Sequence, residues 1–168
     1  MLTLRTPACL LLLLGLSLSS WVLAQDEPRI SDLSYLDRQF MQQQRDLLDD
    51  MAARNFGRQF SGERDRDLAL LQRMLDTGMV RKDQTRELQA MGIIMGDLLA
   101  ADLGLQWVVY EDRLGRSRAL RYQSSDNYLF PVTMIARRRE AGNDTPVAEI
   151  YRKARDSITE VIPPLPFQ

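Results

Sequence analysis

Hydrophobic residues along this chain fall into three regimes: one unbroken apolar run, long stretches with helical spacing, and a short stretch with strand-like character. From Ser31, Leu33, Leu36, Phe40, Leu47 and Met51 recur at spacings of three, four or seven, which predicts a helical stripe ending at Gly57. Ser31 or Ser34 can cap that helix, and Ser34 with Asp37 imitates a capping box. A second helix is expected from Gly62 to Thr77, capped by Ser61 and stopped by Gly78, with Leu68, Leu71 and Leu75 on its inner face. A third runs from Asp83 or Thr85 to Leu103, with Leu88, Met91, Met95, Leu98 and Leu99 apolar and Gly104 as its stop. In it Gly92, Gly96 and Ala100 repeat every four residues. Glycine inside a helix costs about 0.5–1 kcal/mol relative to alanine, so Gly92 and Gly96 call for a compensating contact, another backbone at close range, and are expected to seat a sheet or helix.

The period then changes. Leu105 to Asp112 is aromatic and β-branched, Gly115 can make a turn, and Arg118 to Tyr122 returns as a second strand. Asn127 to Phe130 reads as a third strand ending at Pro131. Beyond Pro131 strand and helix compete; proline suits a helix's first position and Arg137, Arg138 and Arg139 suit its last turn, which favours helix. A last helix is capped by Thr145, with Pro146 first and Val147, Ile150, Tyr151, Ala154, Ile158 and Val161 as its stripe. The fold class is therefore α+β: N-terminal helices plus a small three-stranded antiparallel sheet packed against helices. The expected division is 1–24 signal peptide, 25–82 helical pair with a polar lead over Gln25–Ile30, 83–162 α+β core, and 163–168 Pro-rich tail.

The unbroken run changes the expected location. Arg5 precedes an apolar stretch from Ala8 to about Leu18, and Val22-Leu23-Ala24 offers small cleavage positions before Gln25, the pattern of a secretory signal peptide. Gly15, Ser17, Ser19 and Ser20 interrupt the run, whereas a spanning helix wants about 20 apolar residues. The expected location is periplasmic or secreted, with no stable membrane span after cleavage. Of the 168 residues, 24 would leave, and with them the single Cys9; 21 basic and 23 acidic residues remain, a net charge of −2. Stability must then come from packing without disulfides. An acidic exported protein is a poor candidate for nonspecific nucleic-acid binding.

Composition narrows the chemistry. The chain has no histidine, so Ser-His-Asp and Cys-His catalysis, imidazole metal ligation and a histidine proton switch are closed. No Walker or Gly-x-Gly-x-x-Gly phosphate loop occurs, and Lys82 and Lys153 lack the Ser-x-x-Lys spacing. Glu111 and Asp112 are neighbours on a strand and point to opposite faces, so they do not make a catalytic pair. The alternating run Glu63 to Asp67 lacks calcium-loop spacing and reads as a solvated face. No catalytic residue, metal or cofactor is expected.

What remains is binding. Trp107 and Val109 face one side of their strand and Val108 and Tyr110 the other, so one face can pack on the small-residue helix while the second offers an aromatic surface. Tyr110 and Tyr122, whose hydroxyls tolerate exposure, are candidate contacts; Arg118 and Arg121, with Arg116 and Arg137–Arg139, are candidates for an anionic envelope ligand or a partner's acidic face. Gly92, Gly96, Trp107, Gly115 and Pro131 are expected to be structural.

The glycine-bearing helix Met91-Gly92-Ile93-Ile94-Met95-Gly96, then Gly104 to Val108, Glu111-Asp112 before Gly115, Ala119-Leu120-Arg121, Phe130 to Ile135 and Arg137–Arg139 together resemble the bacterial family called domain of unknown function 3806. The resemblance covers roughly the C-terminal half, Leu88 to Gly142, and its motifs are structural. It implies a small bacterial domain, here in a Gram-negative envelope protein given the signal, and adds nothing to an enzymatic reading. Three expectations follow: an exported noncatalytic binding module; alternatively an envelope enzyme using carboxylate and arginine groups; or a periplasmic inhibitor or immunity protein.

Overall fold

The computed structural model describes residues 27–160, and within them nine elements follow in order: β1 (Arg29–Asp32), α1 (Tyr35–Phe56), α2 (Arg64–Asp76), α3 (Thr85–Leu103), β2 (Gln106–Asp112), β3 (Gly115–Arg121), β4 (Tyr128–Leu129), α4 (Pro131–Glu140) and α5 (Val147–Thr159). The architecture is α+β, and the strands form one antiparallel sheet in the order β1-β2-β3-β4. The expected signal segment 1–24, Val161 and the tail 163–168 lie outside the described residues.

The sheet has four strands rather than three. β1 falls where the sequence suggested a polar lead and the start of a helix, and it pairs Arg29 with Glu111 and Asp32 with Val108. Its sequence, Arg-Ile-Ser-Asp, has a single apolar residue. An edge strand is held by its backbone ladder, so it can leave no hydrophobic signature.

α1 begins at Ser34, whose hydroxyl accepts from the Asp37 amide at 3.1 Å while the Asp37 carboxylate accepts from the Ser34 amide at 3.1 Å. That capping box satisfies two donors the first turn would otherwise leave open. The buried ridge of α1 is Asp37, Met41, Gln44, Leu48 and Ala52, one position away from the expected stripe. Leu36 is 71% exposed, and Phe40, Leu47 and Met51 are half-buried on the ridge's shoulder. Two of the five central positions, Asp37 and Gln44, are polar, which displaces the apparent hydrophobic centre.

Glu63, not Ser61, caps α2, its carboxylate accepting from the amides of Asp65 and Arg66. Ser61 is engaged elsewhere: Asp67, 1% exposed, accepts from the amides of Ser61 and Gly62 and from the Ser61 hydroxyl. One acid of the supposedly solvated run is thus an internal anchor for the loop entering α2. Asp67→Ala leaves two backbone amides without that acceptor, and the expected loss is about 1–3 kcal/mol. Amide hydrogen exchange at Ser61 and Gly62 should accelerate while α3 stays protected; unchanged exchange at both would contradict the assignment.

α3 is the centre of the molecule. Leu88, Met91, Met95 and Leu99 are fully buried, and α4, α1 and α5 pack around it. The small residues serve two neighbours. A Cβ added at Gly92 would lie 2.6 Å from the carbonyl oxygen of Val132, and closer still to that of Pro131; at Gly96 it would meet the Trp107 ring, at 2.7 Å for one carbon. α3 therefore seats the start of α4 at one glycine and the indole of β2 at the next. The segment after Pro131 is helical, with Pro131 buried at its first position.

The hairpin turn is tighter than expected. β3 starts at Gly115, paired with Asp112, and Gly115 takes φ of 132°, a region open to glycine. Asp112 accepts from the amides of Leu114 and Gly115 at 2.8 and 3.2 Å. α5 is capped at Pro146 rather than Thr145. The Thr145 amide and hydroxyl donate to Asn143, and the open Val147 amide donates to Gln72 on α2 at 2.8 Å.

Candidate functional site

Strand alternation gives the sheet two faces of different character. Trp107, Val109, Arg118, Leu120 and Leu129 point to the helices, and Leu120 and Leu129 join the main core. The half-buried Trp107 lies on Gly96 and donates from its indole N–H to Asp97 at 3.0 Å. Asp97 also receives a two-point fork from Arg45, at 2.7 and 2.8 Å, so one carboxylate joins α1, α3 and β2. Trp107 is thus a packing residue with a polar tether.

The opposite face is partly open to solvent: Val108 and Ala119 at its centre are buried, and the residues around them are more exposed. Gln106, Ser117 and Asp32 are exposed on it, and Ile30, Tyr110 and Tyr128 are half-buried. Its centre is an aromatic cluster. The Tyr110 ring lies edge-on to Tyr128 at 5.0 Å and to Phe130 at 5.3 Å between centroids. Between β2 and β4, Ala119 is completely buried although it lies outside the main core cluster. A small residue on the middle strand lets the rings meet across it. Burial pushes the Tyr128 hydroxyl above the usual tyrosine pKa, and the Arg121 guanidinium sits 5.5 Å from that ring's centroid.

The sequence-selected candidates separate. Tyr110 belongs to the aromatic cluster. Tyr122, just past β3, packs against the core, and its hydroxyl accepts from Gln123. Tyr128 and Phe130 complete the cluster and were not singled out; their alternation about Leu129, which turns inward, is the sequence signal that places them beside Tyr110.

The arginines separate too. Arg118 stacks over Phe40 at 4.2 Å and contacts Asp37 at 2.9 Å on the helix-packed face. Arg116 adds a fork on the same carboxylate, donating to Oδ1 at 2.9 Å and to Oδ2 at 2.5 Å. Asp37, 2% exposed, is therefore capping acid and cross-sheet anchor together, and the Arg116 hydrogen bonds hold its carboxyl far below the usual carboxylate range. Arg121 donates to the carbonyls of Ser125 at 2.6 Å and Ser124 at 2.9 Å, closing the loop before β4. Arg138 donates to the Met134 carbonyl and Arg139 pairs with Asp144, while Arg137 remains exposed. Except for Arg137, these groups are engaged within the fold and do not form one anion site.

A further polar cluster joins three helices. Asp102 accepts from the Tyr151 hydroxyl at 3.0 Å and faces Arg64 and Arg155 at 3.5 Å each. Burial first, then the Asp102 hydrogen bond, pushes the Tyr151 phenol up. Among the described residues no group of three or more acidic side chains is placed to hold a metal ion, and no helix is long and apolar enough to cross a membrane.

Comparisons support the fold rather than a reaction. A crystal structure of a protein from Bacteroides thetaiotaomicron is similar over 77% of this chain and 48% of that one, with 20% identity and a TM-score of 0.70. The chain thus spans about half the length of that protein, and the likeness concerns the fold. No curated protein sequence matches the chain. The family model described as a domain of unknown function (DUF3806) matches residues 67–151, from the buried Asp67 of α2 to Tyr151 of α5, which is about half of the chain. The glycine seat, the hairpin and the aromatic cluster all fall inside that match, and the chain belongs to the DUF3806 family.

Proposed function

We propose that the chain is an exported, noncatalytic binding module of the bacterial cell envelope, and that the open face of its sheet contacts a protein partner. The observation that carries this reading is the Tyr110 ring packed edge-on against both Tyr128 and Phe130 on the sheet face turned away from the helices. Fully buried clusters of aromatics serve a core, but a half-buried one at the surface offers rigid area with little entropy to lose, the composition of binding hot spots. Ile30 on the edge strand extends the apolar area, and Arg121, locked by two carbonyls, borders it with a fixed positive charge. Export rests on the signal-like residues 1–24.

The test is affinity capture from an envelope extract, comparing the native chain with Tyr110→Ala, Phe130→Ala and Glu111→Gln. Loss of a hot-spot ring should weaken capture at least about tenfold, while Glu111→Gln leaves it unchanged. Equal capture by all four proteins would refute the assignment of the surface. Loss in Glu111→Gln alone would redirect attention to a carboxylate-based activity.

A further inference from the structure

The arginines of the hairpin and of α4 are largely consumed inside the fold, and a different set is left free. Arg58 follows the end of α1, and Arg66 and Arg73 lie on the exposed side of α2. Among the described residues none of the three has a carboxylate oxygen within 4.0 Å, although Arg45, Arg54, Arg64, Arg116, Arg118, Arg139 and Arg152 all do. The three line adjoining depressions. A concavity of ≈ 590 Å³ is bounded by Arg58, Arg66, Ser61, Gln59 and Phe60, and a second of ≈ 280 Å³ by Arg58, Arg66, Arg73 and Leu70. Neither has an acidic residue in its wall.

The acids nearby are committed to the backbone. Asp49 accepts from the Phe60 amide at 2.8 Å, Asp67 holds Ser61 and Gly62, and Glu63 caps α2. These bonds fix the loop from residue 57 to residue 63, which forms the floor of the larger concavity. Arg73 is held as well, its guanidinium 4.4 Å above the Phe56 ring. Free guanidinium forks on a fixed floor match the oxygens of a phosphate, and a strip with two lobes suits a ligand carrying two such groups.

We propose that the strip between the end of α1 and the exposed side of α2 binds a diphosphate or bisphosphorylated ligand, with Arg58 and Arg66 shared between its two lobes and Arg73 serving the second. The site is separate from the aromatic sheet face, and neither reading depends on the other.

The experiment titrates the protein with inorganic pyrophosphate while amide and arginine Nε resonances are followed by NMR. Shifts confined to residues 58–66 and Arg73, saturating at low ionic strength and weakening with salt, are the expected result. Arg58→Gln and Arg66→Gln should each weaken binding about tenfold, since each loses a charge-assisted hydrogen bond to the ligand, whereas Arg113→Gln on the hairpin should not. Orthophosphate should bind more weakly than pyrophosphate. Absence of localised shifts, or equal losses in Arg113→Gln, overturns the site. A parallel arm sediments the protein with phosphatidylglycerol vesicles. Cosedimentation that disappears in Arg58→Gln/Arg66→Gln supports the site as a reader of lipid phosphate, and pyrophosphate binding without cosedimentation supports a soluble ligand.

Discussion

Gly92→Ala should destabilise the protein by at least about 2 kcal/mol, even though alanine is favoured over glycine by about 1 kcal/mol in a helix interior. The new methyl would be driven onto the Pro131 and Val132 carbonyl groups, which are backbone and cannot rotate away. Overpacking ordinarily costs about 1–3 kcal/mol, and more where no side chain can yield. Gly96→Ala is the informative contrast. Its methyl meets the edge of the Trp107 indole and the Pro131 ring, and an indole can tilt. Urea unfolding of the two variants should therefore give a clearly larger loss at Gly92 than at Gly96. Equal losses, or a gain at Gly92, would show that α4 can withdraw from α3 at little expense.

The second large effect is expected at Asp37. Asp37→Ala removes the acid that starts α1 and leaves Arg118 and Arg116 without their carboxylate, one of them mostly buried and the other close to half-exposed. Removing one partner of a buried pair costs about 3–5 kcal/mol, and the exposure of Arg116 places this case toward the lower end. The same group sets a pH dependence. Its folded pKa is depressed below the unfolded value, so its stabilisation is complete above about pH 4 and is lost as the pH falls through the lower folded value. Acid titration of the unfolding free energy should be steeper below pH 4 for the native chain than for Asp37→Asn. If the two curves run parallel, Asp37 is not the group that links the sheet to α1.

These two positions also show how far the sequence could be read. Gly92 and Gly96 announced a close approach because glycine in a helix interior is costly unless something takes up the space, and the structure supplies α4 and Trp107. The helix after Pro131, the glycine stops at Gly57 and Gly104, and the inner face of α5 were legible for the same local reasons. Asp37 was legible as a cap, but its grip on Arg116 and Arg118 joins residues 79 positions apart in one case, and no local pattern encodes that. Only the register of the folded sheet brings them together. β1 was illegible because its ladder is made of backbone, and Asp67 because a buried acid inside an alternating charge run looks like its exposed neighbours. Of the residues expected to bind, Tyr110 lies in the aromatic cluster and Tyr122 packs against the core, and the arginines chosen for their clustering are clustered because the fold uses them. Arg58, Arg66 and Arg73 are scattered in sequence and are gathered only by the packing of α1 and α2.

The place of β1 at the edge bears on the order in which the molecule assembles. α3, the hairpin and α4 follow one another closely, so their contacts close short loops. β1 meets β2 across about eighty intervening residues, and bringing such ends together costs about 4 kcal/mol of chain entropy before any ladder bond forms. β1 is thus expected to dock after the hairpin has formed. Until it does, Tyr110 lacks its neighbour Ile30 and β2 presents a bare edge, so the docking of β1 both covers that edge and completes the surroundings of Tyr110.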